Sequence, residues 1–580
     1  MHLPNILNEH FATVGQNLAN QLPSTSKCFT DFLGKCKSTV SSYFFQPITP
    51  AEIRLEILSI PNNKSHSLYS CPTRLLKCAS DVLSHLLAEI FNSSVSLGTY
   101  PAKLKMSKII PIFKADDETE PNNYRPISLL SNFNRIFEKL MYKRMKVFIN
   151  EEDILYRSQY GFREEHSTQH AIIDIVNTIQ SNMDKNLFSC GVFIDLKKAF
   201  DTVDHAILLD KLNHYGFRGI INNWFSSYLQ NRTQTTLAGP HISERTLATC
   251  GVPQGSVLGP LLFLLYINDI YTCSKVLNFY LFADDTNILY VDKNLKSLEQ
   301  TVNAELNKLY VWLTSNKLNL NIKKSNFVIF RPYQKRLSFQ PKIRIFDNEK
   351  NMNIPLDCKN YVKYLGILID SNLSWKIHIE YIALEISKIV GLIAKLRHFV
   401  PLHTLLSIYH SLISPYITYG LSVWGQACKS HLDKILILQK RALRFMYFAK
   451  KNEHTIPLFI NAKLLPLNFL YYKTLSELMH DVSTASAPIN ICNLFTKTSR
   501  VHSYNTRSST SDNFYIKASR LEIQKNAFSR IGAKLWNEIP SSLRELPKKL
   551  FKLRIKNKLL SVLEDEDSFI DFGRIISKVT

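Results

Sequence analysis

Two adjacent carboxylates, Asp284 and Asp285, stand between apolar segments and offer the clearest potential for chemistry in the chain. The flanking residues, 279–283 and 288–291, are aromatic and aliphatic, a pattern that predicts a strand, a tight turn and a second strand. Because side chains alternate along a strand, neighbouring aspartates reach one small volume only at a turn. Two carboxylates held together repel each other, and a divalent cation relieves that repulsion. An isolated Asp-Asp pair, however, is more often a solvated turn.

A third carboxylate, Asp195, directly follows the apolar run 192–194, which predicts a buried strand, and a helix is expected from about His205. Residues 251–260 form a glycine-rich turn that leads into an apolar helix at 261–270. Carboxylates from two strands can hold two metal ions for an in-line attack on a phosphate. A glycine turn lets the backbone approach a base pair closely. The nearby acids Asp201 and Asp204 are expected to cap a helix or lie at the surface.

Three segments, in this order and spacing, carry a resemblance to a known family. They are Phe193-Ile-Asp-Leu-Lys-Lys-Ala-Phe-Asp201, Gly251-Val-Pro-Gln-Gly-Ser256 and Phe282-Ala-Asp-Asp285. Together they resemble the boxes of reverse transcriptases from non-LTR (LINE-like, jockey-type) retrotransposons, and the resemblance is sharpest over residues 111–370. It implies an α+β fold, a right-hand polymerase with fingers, an antiparallel-sheet palm and an all-α thumb, plus a helical C-terminal region. The family's N-terminal endonuclease is not recognisable, so the chain is expected to be the polymerase part of an element.

The resemblance divides the chain into six segments. These are a polar linker or connector (1–45), a helical N-terminal extension (46–103), fingers (104–170), a palm with a primer-grip hairpin (171–370), a helical thumb (371–480), and a linker with a basic C-terminal region (481–580).

The resemblance also assigns the catalytic site. Asp195, Asp284 and Asp285 are expected to be catalytic and to hold two Mg²⁺ ions, with Asp285 either a weak ligand or only a support. The residues expected to bind the incoming nucleotide are Lys114, Arg125, Phe200, Gln254, Gly255 and Lys324, with Lys323 as the alternative to Lys324. The cations would meet the triphosphate, and the Phe200 ring would exclude a 2′-hydroxyl. The plainer interpretations are surface charges for the cations and core packing for Phe200.

A further set is expected to contact nucleic acid. The segment 159–163 matches another family box, residues 361–370 resemble the primer grip, and residues 544–558 form a basic run. The predicted contacts are Arg163, Tyr364, Leu365, Gly366, Lys548, Lys549 and Lys552. Two alternatives stay open, because residues 158–168 could equally be structural and the basic run could be a solvated helix face.

Composition limits the class of protein. The chain of 580 residues carries a formal charge of +23, which in company with polymerase-like boxes favours a polyanionic partner. Ten cysteines lack any Cys-x-x-Cys pair, which predicts reduced thiols of an intracellular protein. The sequence shows neither a signal-peptide pattern nor an apolar run near the roughly 20 residues of a membrane span.

The function expected from the resemblance is RNA-directed DNA synthesis, primed at a nicked chromosomal end and templated by the element's own transcript. The expected partners are an RNA template, a DNA primer or target, and dNTPs, without a membrane. The expected location is the nucleus and cytoplasm, as a ribonucleoprotein. An inactive or domesticated RNA-binding relative is the first alternative, and an RNA-dependent RNA polymerase, which shares a palm with paired aspartates, is the second.

Overall fold

A computed structural model describes residues 3–25, 27–63, 71–348, 350–501, 513–565 and 572–579, and shows a mixed α/β chain. The helices are α1 (Leu3–Asn20), α2 (Thr30–Leu33), α3 (Pro50–Ser59), α4 (Thr73–Cys78), α5 (Ser80–Ser96), α6 (Asn132–Glu151), α7 (Thr168–Asp184), α8 (His205–His214), α9 (Ile220–Leu229), α10 (Leu258–Ile267), α11 (Leu295–Ser315), α12 (Lys376–Leu396), α13 (Leu402–Ile408), α14 (Ser414–Thr418), α15 (Leu421–Trp424), α16 (Lys429–Met446), α17 (Ile456–Asn461), α18 (Leu467–Ser483), α19 (Ile489–Cys492), α20 (Glu522–Lys525), α21 (Phe528–Glu538), α22 (Ser541–Arg544), α23 (Lys548–Glu564) and α24 (Phe572–Val579). The strands are β1 (Met106–Phe113), β2 (Tyr124–Leu129), β3 (Phe188–Ile194), β4 (Arg232–Ala238), β5 (His241–Ile242), β6 (Thr246–Ala248), β7 (Asn278–Phe282), β8 (Asp285–Asp292), β9 (Asn326–Phe330), β10 (Arg344–Asp347), β11 (Met352–Pro355), β12 (Asp357–Cys358), β13 (Tyr361–Tyr364) and β14 (Ile367–Asp370).

The central sheet has the strand order β12-β9-β3-β8-β7, and all of its pairs are antiparallel except the short β12–β9 pair. Its strands separate two hydrophobic cores because successive side chains point to opposite faces. In β3, Val192 and Ile194 join one core while Phe193 joins the other, and Ile288 and Leu289 of β8 divide in the same way. The first core also holds helices α2 to α5, and the second holds α7 and the helical segments that follow the sheet.

A second sheet has the order β2-β1-β4-β5, with β6 paired to β4. Its strands come from two distant parts of the chain, since β1 pairs in parallel with β4, which lies within the segment predicted to be palm. Helix α1 packs on this sheet, and the Asn8 amide nitrogen donates to the hydroxyl of Thr246 at 2.8 Å. Residues 3–20, which lie within the predicted polar connector, therefore form a helix that packs on this sheet.

The segment 371–480 is built from helices α12 to α18, apart from one π-helical turn at Tyr409–Ile413. The C-terminal helices share its core, because α23 packs against α17 and α18 and buries Phe551, Ile555 and Leu559. Part of the linker predicted after residue 481, residues 502–512, lies outside the described residues. No helix among the described residues combines the length and the apolar character needed to cross a membrane.

Several local predictions are confirmed. The acidic pair lies where β7 ends and β8 begins, a helix starts at His205, and residues 361–370 form the antiparallel hairpin β13–β14. The apolar helix predicted at 261–270 begins three residues earlier, at Leu258, and continues into a 3-10 turn at Asn268–Cys273.

Candidate active site

A cavity of about 1000 Å³ lies between the two sheets. It gathers residues that are far apart in the sequence, including eight of the residues predicted to act on a nucleotide. These are Lys114, Arg125, Asp195, Phe200, Gln254, Gly255, Asp284 and Lys324. A carboxylate-bearing floor and a cationic wall therefore face the same space.

Asp195 leaves the central sheet at the end of β3 and is held by the loop that follows α11. Asn321 donates its side-chain amide to Oδ2 of Asp195 at 2.7 Å, and its backbone N–H bonds the Asp195 carbonyl at 2.8 Å. The Ser325 hydroxyl accepts the Asp195 N–H at 3.3 Å. The carboxylate is thus fixed by the loop that also carries Lys324, although no sequence pattern assigned a role to Asn321 or Ser325.

The turn that carries Asp284 is held by the segment 159–163. Ala283 adopts a left-handed conformation with φ of 54°, and its N–H donates to the side-chain oxygen of Gln159 at 3.0 Å. Tyr160 N–H bonds the carbonyl of Leu281 at 2.8 Å. A left-handed residue other than glycine is uncommon and needs support from its surroundings. Gln159 supplies that support, so this segment stabilises the acidic turn.

The carboxylates at the turn are electrostatically crowded. Burial and then the neighbouring Asp195 charge raise the pKa of Asp284. Desolvation, followed by the charges of Asp284 and Asp195, raises the pKa of Asp285 to about 6. Asp284 lines the cavity with Asp195, whereas Asp285 does not. Among the described residues, no three His, Cys, Asp or Glu side chains cluster tightly enough to hold a metal ion. The arrangement brings together two of the three predicted ligands, whose mutual repulsion a divalent cation would relieve.

The opposite wall is cationic. Lys114 follows β1, and Arg125 lies on β2. Burial, then the charges of Arg125 and Lys324, lowers the pKa of Lys114, while Asp201 and Asp195 oppose that shift. Lys323 lines a different cavity, so the structure brings Lys324 into the site. Three cations crowded in this way would be stabilised by an anion with several oxygen atoms.

Phe200 borders the same cavity and is also part of a packed aromatic group. Its ring stacks on Phe263, with centroids 4.5 Å apart, and meets Phe162 edge-on at 6.3 Å.

Gly255 adopts φ of 118°, and a Cβ there would lie 2.7 Å from the Ser128 carbonyl oxygen. Only glycine fits that position without strain, so the 251–256 turn lies directly against strand β2.

The two acids that follow β3, Asp201 and Asp204, differ from each other. Asp204 caps α8 by accepting the Ile207 N–H at 3.0 Å, which confirms the capping prediction. The prediction for Asp201 is wrong, because its carboxyl is buried and accepts a hydrogen bond from Gln254 at 2.8 Å. Whether a carboxyl group is buried depends on tertiary packing, in this case on the 249–254 loop, and a local pattern does not contain that information.

The predicted nucleic-acid contacts fall into different environments. The Arg163 guanidinium donates to the carbonyls of Tyr156 and Gln159, at 3.1 and 3.3 Å, which is an internal structural contact. The Tyr364 ring is buried, so that of the three contacts predicted in this hairpin only Leu365 and Gly366, at its tip, reach the surface. The Tyr419 hydroxyl donates to the Leu365 carbonyl at 2.5 Å and fixes that tip to the following helices.

The basic run on α23 is partly neutralised within the protein. Lys548 pairs with Asp481 at 2.7 Å, and Lys552 pairs with Glu477 at 3.0 Å. Lys549 and Arg554 are exposed.

Residues 112–369 match the family model described as "Reverse transcriptase (RNA-dependent DNA polymerase)". The chain is 30% identical, over 409 residues, to the "RNA-directed DNA polymerase from mobile element jockey" of Drosophila melanogaster, covering 68% of this chain and 43% of that protein. It is 29% identical to the "Probable RNA-directed DNA polymerase from transposon X-element" of the same fly, covering 69% of this chain and 44% of that protein.

A more distant relative is the "Putative 115 kDa protein in type-1 retrotransposable element R1DM" of Drosophila melanogaster, 23% identical over 68% of this chain and 38% of that protein. The chain therefore spans less than half the length of these curated relatives.

Proposed function

We propose that the chain, whose residues 112–369 match the reverse transcriptase family model, is an RNA-directed DNA polymerase that copies retrotransposon RNA into DNA. The observation that carries the proposal is the cavity in which Asp195 and Asp284 face Lys114, Arg125 and Lys324. Nucleotidyl transfer needs this pairing, because acidic groups must hold cations at the reacting phosphate while basic groups hold the rest of the triphosphate.

Asp195 and Asp284 would hold two Mg²⁺ ions, since hard divalent cations prefer carboxylate oxygens and both groups border the cavity. Bound there, the ions would lower the pKa of the primer 3′-hydroxyl and neutralise charge on the triphosphate. Asn321 would keep the Asp195 carboxylate in place through its bond to Oδ2. Asp285 does not line the cavity, so we assign it a supporting role beside the turn.

The remaining cavity residues would bind the incoming dNTP. Lys114, Arg125 and Lys324 would contact the triphosphate, because cationic hydrogen bonds to phosphate are strong. Phe200 would lie under the sugar. Gln254 and Gly255, on the turn that meets β2, would border the nascent base pair.

We propose the right-hand arrangement of fingers, palm and thumb for the segments 104–170, 171–370 and 371–480, with one amendment. Strand β4, which comes from the proposed palm segment, pairs with β1, and β5 and β6 pair with β4, so that these three strands complete the sheet of the proposed fingers. The hairpin tip at Leu365 and Gly366 would hold the primer end. We further propose that the chain binds an RNA template and a DNA primer, and that synthesis is primed at a target site. Its location in the nucleus and cytoplasm as a ribonucleoprotein stays a prediction.

Primer extension tests this function. The purified chain should extend oligo(dT) on poly(A) with dTTP only when Mg²⁺ is present. Asp195→Asn and Asp284→Asn should each lower the rate by at least about 100-fold, because each removes a charge from the site that holds the ions. Asp292→Asn is the matched control, since Asp292 lies at the far end of β8 and accepts the Asn294 N–H at 2.9 Å. Binding to RNA should change little in all three variants, because affinity comes from the basic surface.

Extension by either cavity variant at near the wild-type rate would remove that residue from catalysis. Extension with UTP as fast as with dTTP would instead favour an RNA polymerase. RNA binding by a folded wild-type chain without any extension would favour the inactive relative.

A further inference from the structure

A partly buried side-chain pair lies beside the proposed nucleotide site. Gln254 donates from Nε2 to Oδ1 of Asp201 at 2.8 Å. An ionised carboxylate can only accept hydrogen bonds, so this contact decides which end of the Gln254 amide faces Asp201. The carbonyl oxygen and the second N–H of the amide stay available to other partners.

Asp201 does not itself border the large cavity, although its chain neighbours Ala199 and Phe200 do. It lines a smaller cavity of about 50 Å³ behind the 251–254 turn. Gln254 lines both cavities. An effect of Asp201 on a nucleotide would therefore pass through Gln254.

The pair is not needed to join the two loops, because backbone hydrogen bonds already do so. Gly251 N–H bonds the Val203 carbonyl at 2.8 Å, and Val252 N–H bonds the Phe200 carbonyl at 2.9 Å. The Gln254 carbonyl accepts the Ser128 N–H at 2.7 Å. The backbone of the turn is thus fixed, and what the Asp201 carboxylate adds is control of one side chain.

This control comes at an energetic disadvantage, which argues against a neutral packing role. Burial raises the pKa of Asp201 to about 6, although the Gln254 bond and the charges of Lys198 and Lys114 oppose the shift. Oδ2 of Asp201 is buried without a hydrogen-bond partner among the described residues. Unsatisfied buried oxygens are costly, and such groups occur preferentially at functional sites.

We infer that Asp201 is a positioning residue for nucleotide binding, which fixes the Gln254 amide at the edge of the substrate cavity. The inference rests on the proposed polymerase function, since it gives Asp201 and Gln254 a joint role in binding the incoming dNTP.

Steady-state incorporation of a single dNTP tests the pair. Asp201→Leu should raise the KM for the dNTP about tenfold and change kcat less than about twofold, because a lost orienting hydrogen bond weakens binding more than chemistry. Asp201→Asn keeps an acceptor oxygen and should restore most of the affinity. Gln254→Met should raise KM by a similar factor, and the double variant Asp201→Leu/Gln254→Met should be no worse than either single variant. Asp204→Asn, three residues away at a helix cap, is the control and should leave KM unchanged.

A KM that stays at the wild-type value in folded Asp201→Leu, or additive effects in the double variant, would overturn the inference. If Asp201→Leu does not fold, Gln254→Glu and the swap Asp201→Asn/Gln254→Glu decide. Gln254→Glu places two carboxylates together, so its KM should be above the wild-type value. The swap restores a donor and an acceptor, so its KM should be lower than that of Gln254→Glu. Equal KM values in these two variants would overturn the inference. A wild-type chain that extends no primer would count against the proposed function itself, before any of these comparisons.

Discussion

Individual side chains explain why the cavity suits a nucleotide. Asp195 follows β3 and Asp284 precedes β8. Because the register places Ile194 opposite Thr286, the two carboxylates meet at the same end of this strand pair. The resemblance of the three segments to reverse transcriptase boxes predicted this meeting, whereas an isolated Asp-Asp pair is more often a solvated turn. The buried state of Asp201 was not predictable, since its environment comes from Gln254, which is 53 residues away in the sequence.

Phe200 carries a prediction about sugar selection. Its ring borders the cavity while stacking on Phe263, so it is both a packing residue and a surface that a substrate can touch. A ribonucleotide placed over the ring would bury its 2′-hydroxyl without a partner, at a cost of about 1–3 kcal/mol. Because about 1.4 kcal/mol is a tenfold change, Phe200→Val should raise the relative use of rNTPs at least about tenfold. The measurement is the ratio of kcat/KM for dTTP and UTP.

The matched control for this prediction is Phe162→Leu, because Phe162 has a left-handed backbone with φ of 51°, which a β-branched valine would strain. Phe162 also borders the cavity and touches Phe200 edge-on, but it belongs to a different segment. Its replacement should leave the ratio of kcat/KM for dTTP and UTP within about twofold of the wild-type ratio. That change is smaller than the loss of one hydrogen bond would cause. A folded Phe200→Val enzyme with an unchanged ratio would show that Phe200 only packs the core.

At the scale of elements, the site depends on two loops that stabilise the positions of Asp195 and of the Asp284 turn. The 319–325 loop fixes Asp195, and the 159–163 segment fixes the Asp284 turn. The strands, the hairpin at 361–370 and the helix from His205 were predictable, because hydrophobic period and turn residues act locally. The holding contacts were not, since Asn321 and Gln159 are ordinary polar residues until the fold brings them to a carboxylate and a strained turn.

Asn321 gives a prediction at this scale. Asn321→Leu should remove the 2.7 Å bond to Asp195 and leave Oδ2 without its donor. Partners that orient an acidic ligand typically matter by about 10–100-fold in metal affinity or activity. We therefore expect a higher Mg²⁺ requirement and a kcat at least about tenfold lower, measured by titrating Mg²⁺ in primer extension.

The control is Asn303→Leu, which removes an exposed amide that donates to the Lys342 carbonyl at 3.0 Å. It should leave the Mg²⁺ dependence unchanged. An unaltered Mg²⁺ requirement in folded Asn321→Leu would mean that the backbone contacts alone position Asp195.

At the scale of the whole molecule, segments distant in sequence share cores. Helix α1 packs on the sheet of β1 and β4, and Gly15 lies so close to Asp201 that a Cβ there would fall 1.9 Å from its carbonyl oxygen. The C-terminal helix α23 buries Phe551 and Ile555 in the core of α17 and α18. The resemblance implied a polar connector for the first region, and the residues of the second indicated a basic run. Neither could indicate docking, because amphipathic helices pair through partners that a local pattern does not identify.

The position of α23 determines how its proposed RNA contact must be tested. Deleting residues 541–580 would remove Phe551, Ile555 and Leu559 from the core, so any loss of binding would follow from unfolding. Substituting the two exposed cations, Lys549→Ser with Arg554→Ser, keeps that core. If both residues contact phosphates, the slope of log K against log salt should flatten by about 0.7–0.9 per lost contact. Lys548→Ser is the comparison within the same helix, since its amine pairs with Asp481 at 2.7 Å, and it should change the slope less. The measurement is RNA binding over a salt series. An unchanged slope in the double variant would assign the whole run to a solvated helix face.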